Sequence, residues 1–143
     1  MAGNSRTIVD TGAIFAMLDK KDQYHDRASK IVRDLPKPFY TCESVISETC
    51  FLLENAGVSN GKAFGLISAG VIELDFRLDT DIERVSLLMK KYDSVPMSLA
   101  DACLLRMSEI YSLSAVFTFD SDFSIYRRNG REAIQLIPES QYS

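Results

Sequence analysis

The chain has 143 residues and a formal net charge of −4, and 46% of the residues are hydrophobic and 25% charged. This balance fits one globular domain, which we expect to span residues 1–143. The negative charge argues against broad, non-specific coating of nucleic acid, and no apolar run reaches the ~20 residues that span a bilayer. Because Arg6 and Asp10 interrupt the first apolar segment, we expect no signal peptide and no membrane association.

Apolar periodicity and turn-forming residues predict strands and helices that alternate along the chain. The first elements are a strand over residues 7–9, a helix entered through Thr11-Gly12, a helix over 22–35, a strand over 39–41, helices over 44–56 and 60–69, and a strand over 71–76. A helix over 80–92 with a Thr80–Glu83 capping box, a helix over 98–111, a strand over 115–119, a short helical stretch ending at Arg128, a turn at Asn129-Gly130 and a strand over 133–137 follow. This alternation predicts an α/β fold with a short, mainly parallel central sheet of about five strands and helices on both faces.

The cysteines and the single histidine exclude several kinds of site. Cys42, Cys50 and Cys103 have no C-x-x-C spacing, and we interpret them as small buried thiols in a reducing cytoplasm. A histidine-rich zinc site cannot be built from His25 alone, and its polar surroundings favour a surface position. There is no glycine-rich phosphate-binding loop, so the acidic balance instead suits carboxylates gathered around a hard cation.

Acidic residues follow the predicted strands on one side of the sheet. Asp10 ends the first strand, Glu48 lies one turn into the helix after the second, and Asp120 ends the strand over residues 115–119. Because strand carboxyl ends and the following helix starts share one edge, these side chains are expected to meet there. Asp122 follows two residues after Asp120, and Asp101 joins the group if its helix also begins at this edge.

Carboxylates crowded together raise one another's pKa values, and a cation such as Mg²⁺ or Mn²⁺ usually completes such a cluster. A metal held in this way can polarise a phosphoryl oxygen and generate hydroxide from water, so the pattern indicates metal-dependent phosphodiester hydrolysis. Each acid also has a plain structural interpretation. Asp10 is a good helix N-cap, and Glu48 can be an ordinary charged residue on a helix surface. Asp101 completes a capping box with Ser98, Asp120 can open a turn, and Asp122 can cap the short helix.

Four motifs in this order resemble the PIN domain family, and most closely the VapC-type toxins of bacterial and archaeal toxin–antitoxin pairs. They are Ile-Val-Asp-Thr-Gly-Ala-Ile-Phe-Ala-Met-Leu-Asp at 8–19, Val-Ile-Ser-Glu-Thr at 45–49, Met-Ser-Leu-Ala-Asp-Ala at 97–102 and Phe-Thr-Phe-Asp-Ser-Asp-Phe at 117–123. The resemblance covers essentially the whole chain. It implies Mg²⁺- or Mn²⁺-dependent endoribonuclease activity, a homodimer and a cognate antitoxin that blocks the site.

The resemblance also implies roles for individual residues. By it, Asp10, Glu48 and Asp101 are the core metal ligands, Asp120 matches the fourth acid, and Thr118 matches a small hydroxyl residue two positions before it. Asp122 matches an acid that only some members carry.

Three arginines close after Asp122 suggest a place for RNA. Arg127, Arg128 and Arg131 are predicted to hold phosphates beside the acids, although a solvated turn explains them equally well. Single-stranded loops of a structured RNA are the expected target, because their unstacked bases are accessible.

Other classes of protein share parts of this pattern. Residues 115–122 resemble the strand end of haloacid-dehalogenase-type phosphotransferases, but the chain after Asp122 is too short for that family's later lysine and acidic pair. A receiver-like domain needs a lysine where Leu136-Ile137-Pro138 stands. A non-catalytic interaction module that keeps the PIN-like fold is the remaining alternative, and replaced acids would favour it.

Overall fold

Short strands and helices alternate along residues 5–139, the part of the chain that the computed structural model describes. In this part the strands are β1 (Arg6–Val9), β2 (Phe39–Thr41), β3 (Ile72–Leu74), β4 (Ser114–Phe117), β5 (Arg127–Arg128), β6 (Glu132–Ala133) and β7 (Leu136–Ile137). The α-helices are α1 (Thr11–Leu18), α2 (His25–Asp34), α3 (Glu43–Asn55), α4 (Gly61–Ser68), α5 (Leu78–Lys91) and α6 (Leu99–Ile110). A 3₁₀ helix covers Ser121–Ser124.

Five strands form one parallel sheet in the order β3-β2-β1-β4-β7. Ile8 in the central strand lies opposite Tyr40 on one side and Val116 on the other. The predicted α/β class with a mainly parallel sheet of five strands is therefore confirmed, and helices flank it. Because the strands are parallel, β1, β2 and β4 all end at the same edge, which we call the carboxyl edge.

The core lies around β1, β4 and α6. Strand residues Ile8, Val9, Val116 and Phe117 are fully buried, as parallel strands covered on both faces require. Helix α6 contacts both strands, and most of its residues are buried. Its first turn therefore has a defined position beside the ends of β1 and β4.

Helix α5 departs from the prediction. It begins at Leu78, and its N-cap Arg77 makes no side-chain capping bond, so the predicted Thr80–Glu83 capping box is wrong. The backbone leaves helical geometry at Asp81, with φ −109° and ψ 16°. The Asp81 carboxylate there accepts a hydrogen bond from Nε of Arg106 in α6, 2.8 Å away. Local sequence signals predicted neither the start of α5 at Leu78 nor its kink at Asp81, where α5 contacts α6.

The segment after β4 also differs from its prediction. The helical stretch predicted to reach Arg128 ends at Ser124, because β5 pairs with β6 in an antiparallel hairpin. Asn129 and Gly130 have φ of 52° and 82°, left-handed values that confirm the predicted turn. The strand predicted over 133–137 is divided, since Ala133 belongs to the hairpin and Leu136–Ile137 pairs with β4.

No helix within residues 5–139 combines the length and the apolar character needed to cross a membrane.

A buried carboxylate holds α5 and the hairpin against α6. The Glu109 side chain is 1% exposed and accepts two hydrogen bonds from Arg84, at 2.9 and 2.7 Å. It also accepts from Nη1 of Arg106 at 3.3 Å and from the backbone N–H of Asn129 at 2.6 Å. Burial raises the pKa of Glu109, but the bonds from Arg84, Asn129 and Arg106 outweigh burial and lower it. This charged contact joins three parts of the fold.

Neutralising this carboxylate is expected to destabilise the fold. Glu109→Gln keeps the side-chain shape but removes the charged partner of Arg84 and one of the two carboxylates that pair with Arg106, so we expect a loss of about 2 kcal/mol in the free energy of unfolding. The loss stays below that of a fully buried pair because both arginines reach solvent. Urea denaturation at neutral pH measures it, with Glu83→Gln, an exposed glutamate of α5, as the control. Equal free energies of unfolding for Glu109→Gln and Glu83→Gln would contradict a stabilising role for the Glu109 carboxylate.

Candidate active site

A cavity of about 600 Å³ lies at the carboxyl edge of the sheet. Six carboxylates line it, and among the described residues its lining includes no lysine, arginine or histidine. Five of these acids are the ones that the sequence placed at this edge; the sixth, in the loop between α1 and α2, was missed. The six are Asp10, Asp22, Glu48, Asp101, Asp120 and Asp122.

Asp10 joins the ends of β1 and β4. Its Oδ1 accepts a hydrogen bond from the backbone N–H of Thr11 at 2.7 Å, and its Oδ2 accepts one from the Thr118 hydroxyl at 2.7 Å. The Thr118 oxygen in turn accepts from the backbone N–H of Asp120 at 2.9 Å. Asp10 is therefore both the N-cap of α1 and a buried member of the cavity wall.

Burial raises the pKa of Asp10 to about 7. The hydrogen bonds from Thr118 and Thr11 oppose this rise, and the charges of Asp101 and Asp120 add to it. A carboxyl group with this pKa is partly protonated at neutral pH. A nearby cation would favour its ionised form.

Asp101 has a similar double role at the start of α6. The Ser98 hydroxyl accepts from its N–H at 3.0 Å, and its Oδ2 accepts from the N–H of Ser98 at 3.3 Å, which is the predicted capping box. Burial raises the pKa of Asp101, and the charge of Asp120 adds to the rise. The cap thus holds a buried carboxylate at the cavity.

Tyr126 is a further site residue that the sequence analysis missed. Its fully buried side chain donates a hydrogen bond from its hydroxyl to Oδ2 of Asp101 at 3.1 Å. The ring packs edge-on against Tyr92 and Phe123. No local pattern marks this tyrosine, because its partner lies 25 residues away in the chain.

Glu48 reaches the cavity from α3. Its Oε1 accepts a hydrogen bond from the Thr11 hydroxyl at 2.8 Å, which ties α3 to the start of α1. The residue is exposed, as a plain helix-surface interpretation requires, and it also lines the cavity. Glu48 and Asp120 are thus the exposed acids of the group.

Asp120 and Asp122 have different surroundings. Asp120 caps the 3₁₀ helix, since its Oδ1 accepts from the N–H of Asp122 at 2.9 Å, so the alternative in which Asp122 is the cap is wrong. The charge of Asp120 raises the pKa values of both Asp10 and Asp101. Burial raises the pKa of Tyr126, and the charges of Asp101, Asp122 and Asp120 add to that rise. Asp120 is therefore more strongly coupled to the two buried acids.

The acids share the cavity without forming a closed set of ligands. Within residues 5–139, no three histidine, cysteine, aspartate or glutamate side chains converge closely enough to hold one metal ion as they stand. Asp10, Asp101 and Glu48 each hydrogen-bond to a neighbouring hydroxyl or N–H group. In donor type and charge, however, six carboxylates without a basic neighbour suit a hard divalent cation.

The three arginines after Asp122 lie outside the lining of the acidic cavity. Nη1 of Arg127 donates to the carbonyls of residues 124, 125 and 126, and the Arg128 guanidinium donates to the carbonyls of residues 111 and 112. Arg131 is exposed, and none of the three lines the cavity. Backbone carbonyls thus take up hydrogen bonds from two of the guanidinium groups, and the role of the three arginines in holding phosphates stays a prediction.

The histidine and cysteines also lie outside the lining of the cavity. His25 is half-buried and not at the surface as predicted, because its Nδ1 lies 2.7 Å from the carbonyl oxygen of Ala16. All three cysteines are free thiols; Cys42 and Cys103 are buried as expected, and Cys50 is half-buried.

The PIN domain family model matches residues 7–129, and the chain belongs to this family. Among solved structures, the chain is similar to VapC20 of Mycobacterium tuberculosis, which is described as a sarcin-ricin loop cleaving toxin. The two are 22% identical, with a TM-score of 0.75 over 83% of this chain and 93% of that chain. The likeness to VapC20 concerns the fold. No match was found among curated proteins.

Asp10 is expected to make the stability of the metal-free protein depend on pH. Its pKa is about 7 in the folded protein, against about 3.9 in an unfolded chain. The folded state binds the proton more tightly, so protonation of Asp10 adds to the free energy of unfolding. This added stability is complete below about pH 4 and is lost as pH rises through about 7. Asp10→Asn should remove up to about 4 kcal/mol of this decline.

Urea denaturation in EDTA at several pH values measures the effect. Exposed Glu43 of α3 provides the control, because Glu43→Gln should leave the decline unchanged. An Asp10→Asn profile as steep as that of the wild type would show that Asp10 is ionised in the folded protein.

Proposed function

We propose that this PIN domain protein is a metal-dependent endoribonuclease and the toxin of a type II toxin–antitoxin pair. The observation that carries the proposal is the cavity of six carboxylates, without a basic lining residue, at the carboxyl edge of a PIN fold. The similarity to VapC20, described as a sarcin-ricin loop cleaving toxin, supports a loop of structured RNA as the substrate.

The residues that would hold Mg²⁺ or Mn²⁺ are Asp10, Glu48 and Asp101, with Asp120 as a fourth acid. A bound ion of this kind supplies a Lewis acid and an activated water for phosphodiester hydrolysis. The side chains around the acids serve to orient them. The Thr118 hydroxyl donates to Asp10, and the Thr11 hydroxyl donates to Glu48. The Tyr126 hydroxyl donates to Asp101. Hydrogen bonds of this kind orient the ligands of a metal ion.

The family resemblance also supports a set of partners. We propose a homodimer, a cognate antitoxin that blocks the carboxyl edge, and a cytoplasmic location. The free thiols of the three cysteines are consistent with a reducing compartment.

A non-catalytic PIN-like module is the second candidate. One observation favours it, since no three side chains within the described residues converge closely enough for a metal ion. The acids at all the matched positions argue against it, because crowded carboxylates are costly without a function. Metal binding and RNA cleavage, measured separately, distinguish the two.

Loss of a core acid is expected to abolish cleavage and weaken metal binding. Asp10→Asn, Glu48→Gln and Asp101→Asn should each reduce Mg²⁺-dependent RNA cleavage at least about 100-fold. Glu43→Gln removes an exposed carboxylate of α3, the helix that also carries Glu48, and should retain activity. Sequencing of RNA ends after brief expression measures cleavage in cells.

The metal is tested without RNA. Mn²⁺ should raise the melting temperature of the wild-type protein, and less so that of the three variants, because it binds the folded state. A wild-type protein that neither cleaves RNA nor responds to Mn²⁺ would establish the non-catalytic module.

Asp120 is expected to matter more than Asp122. Both charges raise the pKa of Tyr126, and the charge of Asp120 also raises the pKa values of Asp10 and Asp101. Asp120→Asn should therefore reduce cleavage strongly and raise the Mg²⁺ concentration needed for half-maximal rate, and Asp122→Asn should have the smaller effect. Metal titration of the cleavage rate compares them. The reverse order would assign the fourth acidic position to Asp122.

A further inference from the structure

Aromatic rings line the same cavity as the carboxylates. Phe15, Tyr24 and Phe119 are all in its lining. The rings of Tyr24 and Phe119 are stacked, with centroids 4.5 Å apart and 4° between their planes. Phe117 packs edge-on against Phe119 at 5.7 Å. The stacked pair is thus supported from the core, and both of its residues are only half-buried.

Two short connections place this pair beside the acids. Phe119 stands between Thr118, which binds Asp10, and the cavity acid Asp120. Tyr24 is the N-cap of α2, and its backbone N–H donates to Oδ2 of the cavity acid Asp22 at 3.0 Å. The pair therefore borders the carboxylates along the chain and across the cavity wall.

The charge of the lining decides what can hold an RNA strand here. Six carboxylates repel phosphate, and among the described residues the lining has no cationic side chain to offset them. A divalent cation would attract one phosphate, but the rest of the nucleotide needs apolar contacts. At about 600 Å³ the cavity lies within the range of roughly 300–1,000 Å³ that small-molecule sites occupy.

We propose that the Tyr24–Phe119 pair is a stacking platform for one unstacked nucleobase of single-stranded RNA, next to the bond that is cleaved. This inference rests on the proposed function and names the part of the substrate that the site holds. A base has a π face whatever its identity, so stacking on an aromatic side chain binds it without reading sequence. A base paired within a helix is not free to enter, which favours loops over duplexes.

A fluorescent trinucleotide tests the platform separately from cleavage. The probe is a single-stranded RNA of three nucleotides with 2-aminopurine in the centre, whose fluorescence falls when the base stacks. It is titrated with protein in Ca²⁺, which supplies a hard cation. Phe119→Leu and Tyr24→Leu should each weaken binding about 10-fold and abolish the quenching. Tyr24→Phe keeps the ring and should bind within about 2-fold of the wild type.

Two controls separate stacking from packing. Phe64→Leu removes a half-exposed ring of α4 outside the cavity and should leave probe binding unchanged. An abasic trinucleotide should bind the wild-type protein about 10-fold more weakly than the probe does. Because this control uses no substituted protein, a folding defect cannot account for its result. Circular dichroism and the Mn²⁺-induced rise in melting temperature establish that the leucine variants are folded.

The outcomes distinguish the platform from the proposed nuclease. Quenching that is absent in the wild type, or equal in the wild type and both folded leucine variants, overturns the platform. Equal binding of the probe and the abasic trinucleotide overturns it as well. If the quenching depends on the two rings but the protein cleaves no RNA in cells, the platform is supported and the proposed nuclease activity is contradicted.

Discussion

The hydrogen bond from the Thr118 hydroxyl to the Asp10 carboxylate joins the ends of two neighbouring strands, 108 residues apart in the chain. Its geometry follows from the parallel register that sets Val9 opposite Phe117, so the next residue on each strand emerges at the same edge. Because Thr118 also accepts from the N–H of Asp120, one hydroxyl orients a buried acid and the turn that carries another. The remaining acids line the same cavity as Asp10.

The acids of the cavity serve the fold and the site at once. Asp10 caps α1, Asp101 completes a capping box on α6, and Asp120 caps the 3₁₀ helix. Helix starts favour negative charge, so these backbone groups partly stabilise carboxylates that repel one another. The compensation is incomplete, since burial still raises the pKa values of Asp10 and Asp101. A divalent cation would supply the missing positive charge.

The segment from Thr118 to Tyr126 contributes five residues to the site. It contributes the hydroxyl that binds Asp10, the ring of Phe119, the acids Asp120 and Asp122, and the tyrosine that binds Asp101. A 3₁₀ helix over Ser121–Ser124 follows soon after β4 within this segment. One segment therefore supplies residues to both the acidic and the aromatic lining of the cavity.

By itself, the sequence determined the α/β class, most of the order of the elements and five of the six acids that line the cavity. Each of these depends on local signals, such as strand periodicity, helix caps and turns, which reach only a few residues along the chain. Only the tertiary structure decided that Tyr126 binds Asp101 and that Tyr24 stacks on Phe119. It also decided that the Arg128 guanidinium donates to a backbone carbonyl. These contacts join residues that are 16 to 95 positions apart in the chain. Only the packing of the whole fold brings such residues together, and a local sequence pattern does not predict it.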